Sequence, residues 1–166
     1  MRTSYIGEVG LDFSSEGLGT RVVQRRSFEH VLTAIRGKEK LLTIHSRGAE
    51  HEVLQLLSAY DRKGCVLHWF SGSQEAAELA IAGGHSFSIN PAMINNRKGR
   101  DFIASLPRER VLLESDGPFV KLGKRNVEPK DLQVVEAFLA DCWSEDSTSV
   151  QERLLSNFCN VIAALM

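Results

Sequence analysis

The chain has 166 residues and a formal net charge of −1; it is long enough for one domain with a real core, yet well short of the ~250 residues of a complete eight-stranded (β/α) barrel. The charge balance excludes a global basic field that recruits nucleic acid, so any such contact must be local. The three cysteines (Cys65, Cys142, Cys159) form no C-x-x-C pair and read as reduced thiols; with no visible signal peptide and no apolar run near the ~18 residues of a membrane span, the sequence predicts a soluble, cytoplasmic protein without a membrane partner.

Apolar strands alternate with amphipathic helices along the chain. A strand is predicted over 5–9, followed by a Ser- and Gly-rich loop over 12–19. A helix over 21–37 carries Phe28, Val31, Leu32 and Ile35 at helical spacing, with Gly37 as its stop. A strand over 41–45 precedes a helix over 49–60, and Gly64 punctuates before a strand over 65–69. Ser71 or Ser73 can cap a helix over 74–82, which Gly83-Gly84 ends. Strands over 85–89 and 111–115 flank a short helix over 98–105. Residues 121–129 read as a polar, basic loop, and two helices over 130–142 and 149–165 close the chain. This alternation predicts a parallel sheet with right-handed crossovers, an α/β fold. Five strands do not close an eight-stranded barrel, so the chain reads as one incomplete TIM-type barrel domain over 1–166.

Four polar residues each end an apolar run: Glu8, His45, His68 and Asp116. In a (β/α) barrel the active site lies where the strands end. A Glu, two His and an Asp there form a mixed nitrogen and oxygen cage suited to a divalent metal. Glu114 and Asp116 share a strand face, with Asp116 nearer the mouth. A carboxylate in that position can bind metal and take a proton in metal-assisted hydrolysis; taken alone, Asp116 reads first as the start of an Asp-Gly-Pro turn. Glu8 reads as a buried carboxylate that needs a metal or a cation such as Arg47. His30 and His51 read as surface helix residues, and His85 lies at the wrong end of its strand for a ligand. Lys124 and Arg125, in the densest basic cluster, and Arg47 are candidate contacts for a substrate phosphate; a solvated charge run is the plain alternative. Trp69 and Phe70 are read either as base-stacking rings or as core.

The segments Gly7-Glu8-Val9-Gly10-Leu11-Asp12, Ile44-His45-Ser46-Arg47, His68-Trp69-Phe70-Ser71-Gly72, Glu114-Ser115-Asp116-Gly117-Pro118 and Gly123-Lys124-Arg125-Asn126 occur in this order. Together they resemble the TatD-type metal-dependent nucleases of the amidohydrolase superfamily, over essentially the whole chain. Asn157-Phe158 fits that family's closing helix. The wording of residues 68–72 and 87–93 looks most like the TatD-like members of Qat anti-phage operons, which implies a role in antiviral defence. The resemblance implies that Glu8 bridges two metals, that His45 and His68 complete the second, and that Asp116 binds the first and shuttles a proton. It implies a phosphodiester substrate, usually DNA attacked from a 3′ end, and Mg²⁺, Mn²⁺ or Zn²⁺ as cofactor.

One departure stands out. The family opens with a His-x-His-x-Asp strand, and this chain contains no His-x-His. The sequence therefore predicts an N-terminally truncated barrel that holds one metal rather than two, with reduced nuclease activity. It also predicts an open sheet edge that a second copy or a partner chain covers. The alternative function is a catalytically impaired pseudoenzyme or interaction subunit that keeps the fold.

Overall fold

The computed structural model describes residues 3–163. Its five parallel strands, β1 (Tyr5–Gly10), β2 (Leu41–His45), β3 (Val66–His68), β4 (Ser86–Ile89) and β5 (Val111–Leu113), follow one another across the sheet in chain order. The helices between them are α1 (Arg21–Ala34), α2 (Glu50–Ala59), α3 (Gln74–Ala82) and α4 (Arg97–Ser105), with α5 (Gln133–Trp143) and α6 (Ser147–Ala163) after β5. The chain divides into two compact units. One holds residues up to Phe87 together with the chain from Val161, and the other spans Ser88–Asn160.

In the first unit, Leu42 and Ile44 of β2 are fully buried. Of the predicted helical stripe, Phe28 and Leu32 of α1 and Ile35 just beyond its end lie in the core, and Val31 is half-buried. The helix ends at Ala34, short of the expected stop, because Gly37 belongs to the following turn and takes a left-handed φ of 69°. Val53, Leu56 and Leu57 of α2 are likewise buried. Ser73 caps α3 by accepting the N–H of Ala76 at 3.2 Å. β1 is an edge strand, and its residues are half-buried or exposed where those of β2 and β3 are mostly buried.

In the second unit, Asn96 caps α4 by accepting the N–H of Gly99 at 2.9 Å. Residues 121–129, expected to be a plain loop, contain a two-stranded antiparallel hairpin, β6 (Lys121–Leu122) and β7 (Arg125–Asn126). Gly123 supplies the left-handed turn at φ 63°. Asn157 of α6 is buried, and its amide donates to the carbonyls of Arg108 (2.7 Å) and Val111 (2.9 Å), pinning the helix to the start of β5. Asn157→Ala strands those two acceptors in the interior. The expected loss is roughly 2 kcal/mol, read as a lower urea midpoint with an unchanged slope. A midpoint equal to wild type would mean that the clamp carries no stability.

Candidate metal centre

β1 and β2 pair in parallel, with Ile6 opposite Leu42 and Val9 opposite Ile44. Two residues of β1, Gly7 and Glu8, therefore stand against the single residue Thr43. Such a bulge re-aims a side chain that strict alternation would have placed on the other face. Gly7 fits because a Cβ there would lie 2.9 Å from the Thr43 Cβ. β2 and β3 also pair in parallel, with Ile44 opposite Leu67. The next residues of the two strands are His45 and His68, whose rings lie 6.0 Å apart.

The result is a cluster. Glu8 Oε1 lies 2.7 Å from His45 Nδ1 and 3.7 Å from His68 Nε2. One donor atom from each of the three residues lies within 4.8 Å of the others. Metal–ligand bonds of about 2.0–2.1 Å in tetrahedral geometry put ligand atoms about 3.3 Å apart. The two observed separations bracket that value, so the donors fit one divalent ion with little movement. Two imidazoles and one carboxylate also form a donor set of the catalytic type, which keeps a position open. The exposure of Glu8, whose side chain is 42% accessible, leaves that side open. Glu8 is thus not the buried carboxylate the sequence suggests, because it stands on the edge strand. Nor does it pair with Arg47, which lies against Glu16 at 3.4 Å.

Sequence reasoning missed Asp12 as a member of this site. Its Oδ2 lies 3.1 Å from His45 Nε2, so His45 is held from both sides. The Asp12 carboxylate is itself fixed, since Oδ1 accepts the N–H of Ser14 at 2.8 Å. A carboxylate behind a ligating histidine sets its tautomer and ring orientation. The signal was present in the sequence, since a carboxylate stands four residues beyond Glu8 where the strand has just ended. The hydrogen bond from His45 holds the Glu8 carboxyl below its usual range against the opposing pull of burial, and the charge of His68 adds to it. Burial pushes the Asp12 carboxyl up, but hydrogen bonds from Ser14 and His45 outweigh it and leave the group lowered. The hydrogen bond to Glu8, then the contact with Asp12, raises the His45 imidazole above its ordinary value despite burial. Asp12→Ala is expected to weaken divalent metal binding by about 10–100-fold, measured by competition with a chromophoric chelator. Unchanged affinity would show that His45 needs no orienting partner.

The other predicted residues are placed as follows. Asp116 lies in the second unit, just beyond β5. It has a left-handed φ of 47°, and its carbonyl accepts the N–H groups of Phe119 and Val120. Before it, Glu114 accepts from Ser88 Oγ and from Asn90 Nδ2, both buried side chains at the end of β4; this network escaped sequence reading. Lys124 is exposed in the β6–β7 turn. Arg125 is engaged by both oxygens of Asp131, at 2.5 and 2.6 Å. Phe70 is a core ring packed edge-on against Phe87, which removes it as a stacking platform. Trp69 is partly exposed and meets His68 edge-on, with ring centroids 6.5 Å apart. His85 is buried at the start of β4, where Nδ1 accepts the N–H of Cys65.

Comparison with known proteins gives the family of the chain. The family model described as "TatD related DNase" matches residues 1–163. The human protein "Deoxyribonuclease TATDN3" is 30% identical over 140 residues, which are 81% of this chain and 51% of that protein. "3'-5' ssDNA/RNA exonuclease TatD" of Escherichia coli K12 is 29% identical over 154 residues, covering 86% of this chain and 59% of that protein. Among solved structures, the TatD homologue YjjV of Escherichia coli K12 superposes with a TM-score of 0.82 at 25% identity, over 98% of this chain and 63% of that one. The chain spans about half the length of the curated relatives it matches. With its family model matched from end to end of the described residues, the chain belongs to the TatD-related DNase family.

Proposed function

We propose that this chain serves in metal-dependent hydrolysis of phosphodiester bonds, acting on DNA or RNA strands from a 3′ end. The observation that carries the reading is the Glu8–His45–His68 cluster at the carboxyl ends of β1, β2 and β3, where barrel enzymes place their chemistry. Nuclease relatives support the substrate class. Glu8, His45 and His68 would hold a divalent ion, which would supply Lewis-acid chemistry for phosphodiester hydrolysis. The chain's own contributions are distinct. Glu8 provides the one negative charge of the cluster, His45 is locked in orientation between Glu8 and Asp12, and His68, buried, walls the inner side. Asp116 is the proposed proton acceptor, and Arg47 and Lys124 are the proposed cations for substrate phosphate. Mn²⁺, Zn²⁺ and Mg²⁺ are the candidate ions, since this donor set suits the first two and oxygen-rich substrates recruit the third.

The test is release of nucleotides from a 3′-labelled single-stranded oligonucleotide with each metal, alongside metal content per chain. Hydrolysis that needs metal and disappears in both Glu8→Ala and Asp116→Asn supports the reading. Tight metal binding without hydrolysis under any metal would favour an interaction subunit that keeps the fold.

A further inference from the structure

At the opposite end of β2 from His45, the turns that lead into β2 and β3 form a cleft of about 410 Å³. Four residue steps along β2 separate Leu41, on its wall, from His45, or roughly 13 Å of strand. Five cations line the cleft: Arg36, Lys38 and Lys40 from the first turn, Arg62 and Lys63 from the second. Only two carboxylates, Glu39 and Asp61, accompany them. Among the described residues none of the five makes an ion pair. Elsewhere in the chain arginines are routinely neutralised: Arg21 and Arg25 by Glu52, Arg108 and Arg153 by Glu145, Arg125 by Asp131.

The cleft is also built rather than incidental. Arg62 reaches across from the second turn and donates to the carbonyls of Lys38 (3.0 Å) and Lys40 (2.7 Å), locking the two turns together. Its Nε is buried with no partner among the described residues. The plain explanation is that these cations offset the carboxyl ends of α1 and α2, which both point here. Each helix end is worth about half a negative charge. Two ends and two carboxylates come to about −3 against +5, leaving the cleft about two charges positive by this estimate. Neutralising the helix ends therefore does not account for the cluster.

We propose that this cleft is a second anion site, remote from the metal cluster, which holds the phosphate backbone of a nucleic-acid strand. The proposal rests on the nuclease reading for the identity of the polyanion, but its geometry is independent of the metal site. Arg62 fixes the frame, and Arg36 and Lys63, both exposed, present their charge to the strand together with Lys38, whose Nζ also donates to the Ala34 carbonyl at 2.6 Å. Contacts of this kind read backbone and not sequence, so they hold a strand without selecting it.

The test is fluorescence anisotropy with a labelled oligothymidylate of about 16 nucleotides, in chelator so that no metal is present and no cleavage occurs. Wild type is expected to bind, with affinity falling steeply with salt. The triple variant Arg36→Gln, Lys38→Gln, Lys63→Gln is expected to bind at least tenfold more weakly, with the salt slope reduced by about 2 for three lost phosphate contacts. A control that removes the same charge elsewhere (Arg26→Gln, Lys98→Gln, Lys121→Gln) is expected to stay within twofold. Equal binding by the triple variant, or no binding by wild type, overturns the proposal. So does equally effective competition by inorganic phosphate or by polyglutamate, which would assign the cleft to a free anion or an acidic protein. Circular dichroism melts confirm that the variants fold. Strand binding at the cleft in a chain that hydrolyses nothing leaves this proposal standing and removes the nuclease reading.

Discussion

Alanine at Glu8 is expected to lower divalent metal affinity by at least about 100-fold, beyond the 10–100-fold range of an outer-shell partner such as Asp12. Glu8 is the only anion of the three-residue cluster, and its Oε1 is the atom that faces both imidazoles. Without it, two imidazoles remain, and His45 keeps only Asp12 to orient it. The variant also separates site from fold better than any other at the cluster. The Glu8 side chain is 42% exposed on an edge strand, whereas His68 is buried and its removal opens a cavity. Unfolding in chelator should therefore cost no more than about 1.5 kcal/mol, the net worth of one partly exposed hydrogen bond to His45. The measurement is titration calorimetry with Mn²⁺ and Zn²⁺ on chelator-treated protein. Wild-type affinity in Glu8→Ala would remove this cluster as the metal centre; a large loss of stability in chelator would mean that the carboxylate's main work is structural.

The contrast between His45 and Glu8 shows what local pattern can and cannot convey. Leu41 to Ile44 is an unbroken apolar run, and such a run ending in His fixes both the strand and the position of its last residue. β3 repeats the pattern, and parallel pairing then brings His45 and His68 side by side. Glu8 was found for the right place but the wrong environment. Alternation assumes one residue against one, and the two-against-one pairing at Gly7 and Glu8 arises only when β2 is alongside. Asp12 was missed for a related reason. Its contact joins residues 33 positions apart, and strand periodicity stops before it is reached. The β6–β7 hairpin escaped because two-residue strands carry no alternation to detect; Gly123 was its one signal. Arg125 looked like a free cation, yet Asp131 lies six residues on and grips it with both oxygens. Runs along one strand are legible in sequence, whereas partners supplied by a turn or a neighbouring strand are not.

Gly10→Ala is expected to be the most damaging single substitution to the fold around the site. Gly10 ends β1 at φ 146°, directly opposite His45. A Cβ there would lie 2.0 Å from the His45 carbonyl oxygen and 2.9 Å from its N and C atoms. These are backbone atoms of the neighbouring strand β2, so no side chain can rotate away, and the strands must part. Backbone strain and overpacking each cost about 1–3 kcal/mol, and together they give an expected loss of about 3–5 kcal/mol. That is a large share of the stability of an ordinary domain. Gly64→Ala is the matched comparison. It too has positive φ, at 65°, but open space where its Cβ would go, so only the left-handed penalty of about 1–2 kcal/mol applies. Thermal melts should place Gly10→Ala well below Gly64→Ala. Metal affinity should fall only in the former, because parting β1 from β2 pulls Glu8 and Asp12 off His45 together. Equal melting of the two variants would show that β1 yields at its edge, and that the close approach of Gly10 to His45 does not hold the site in place.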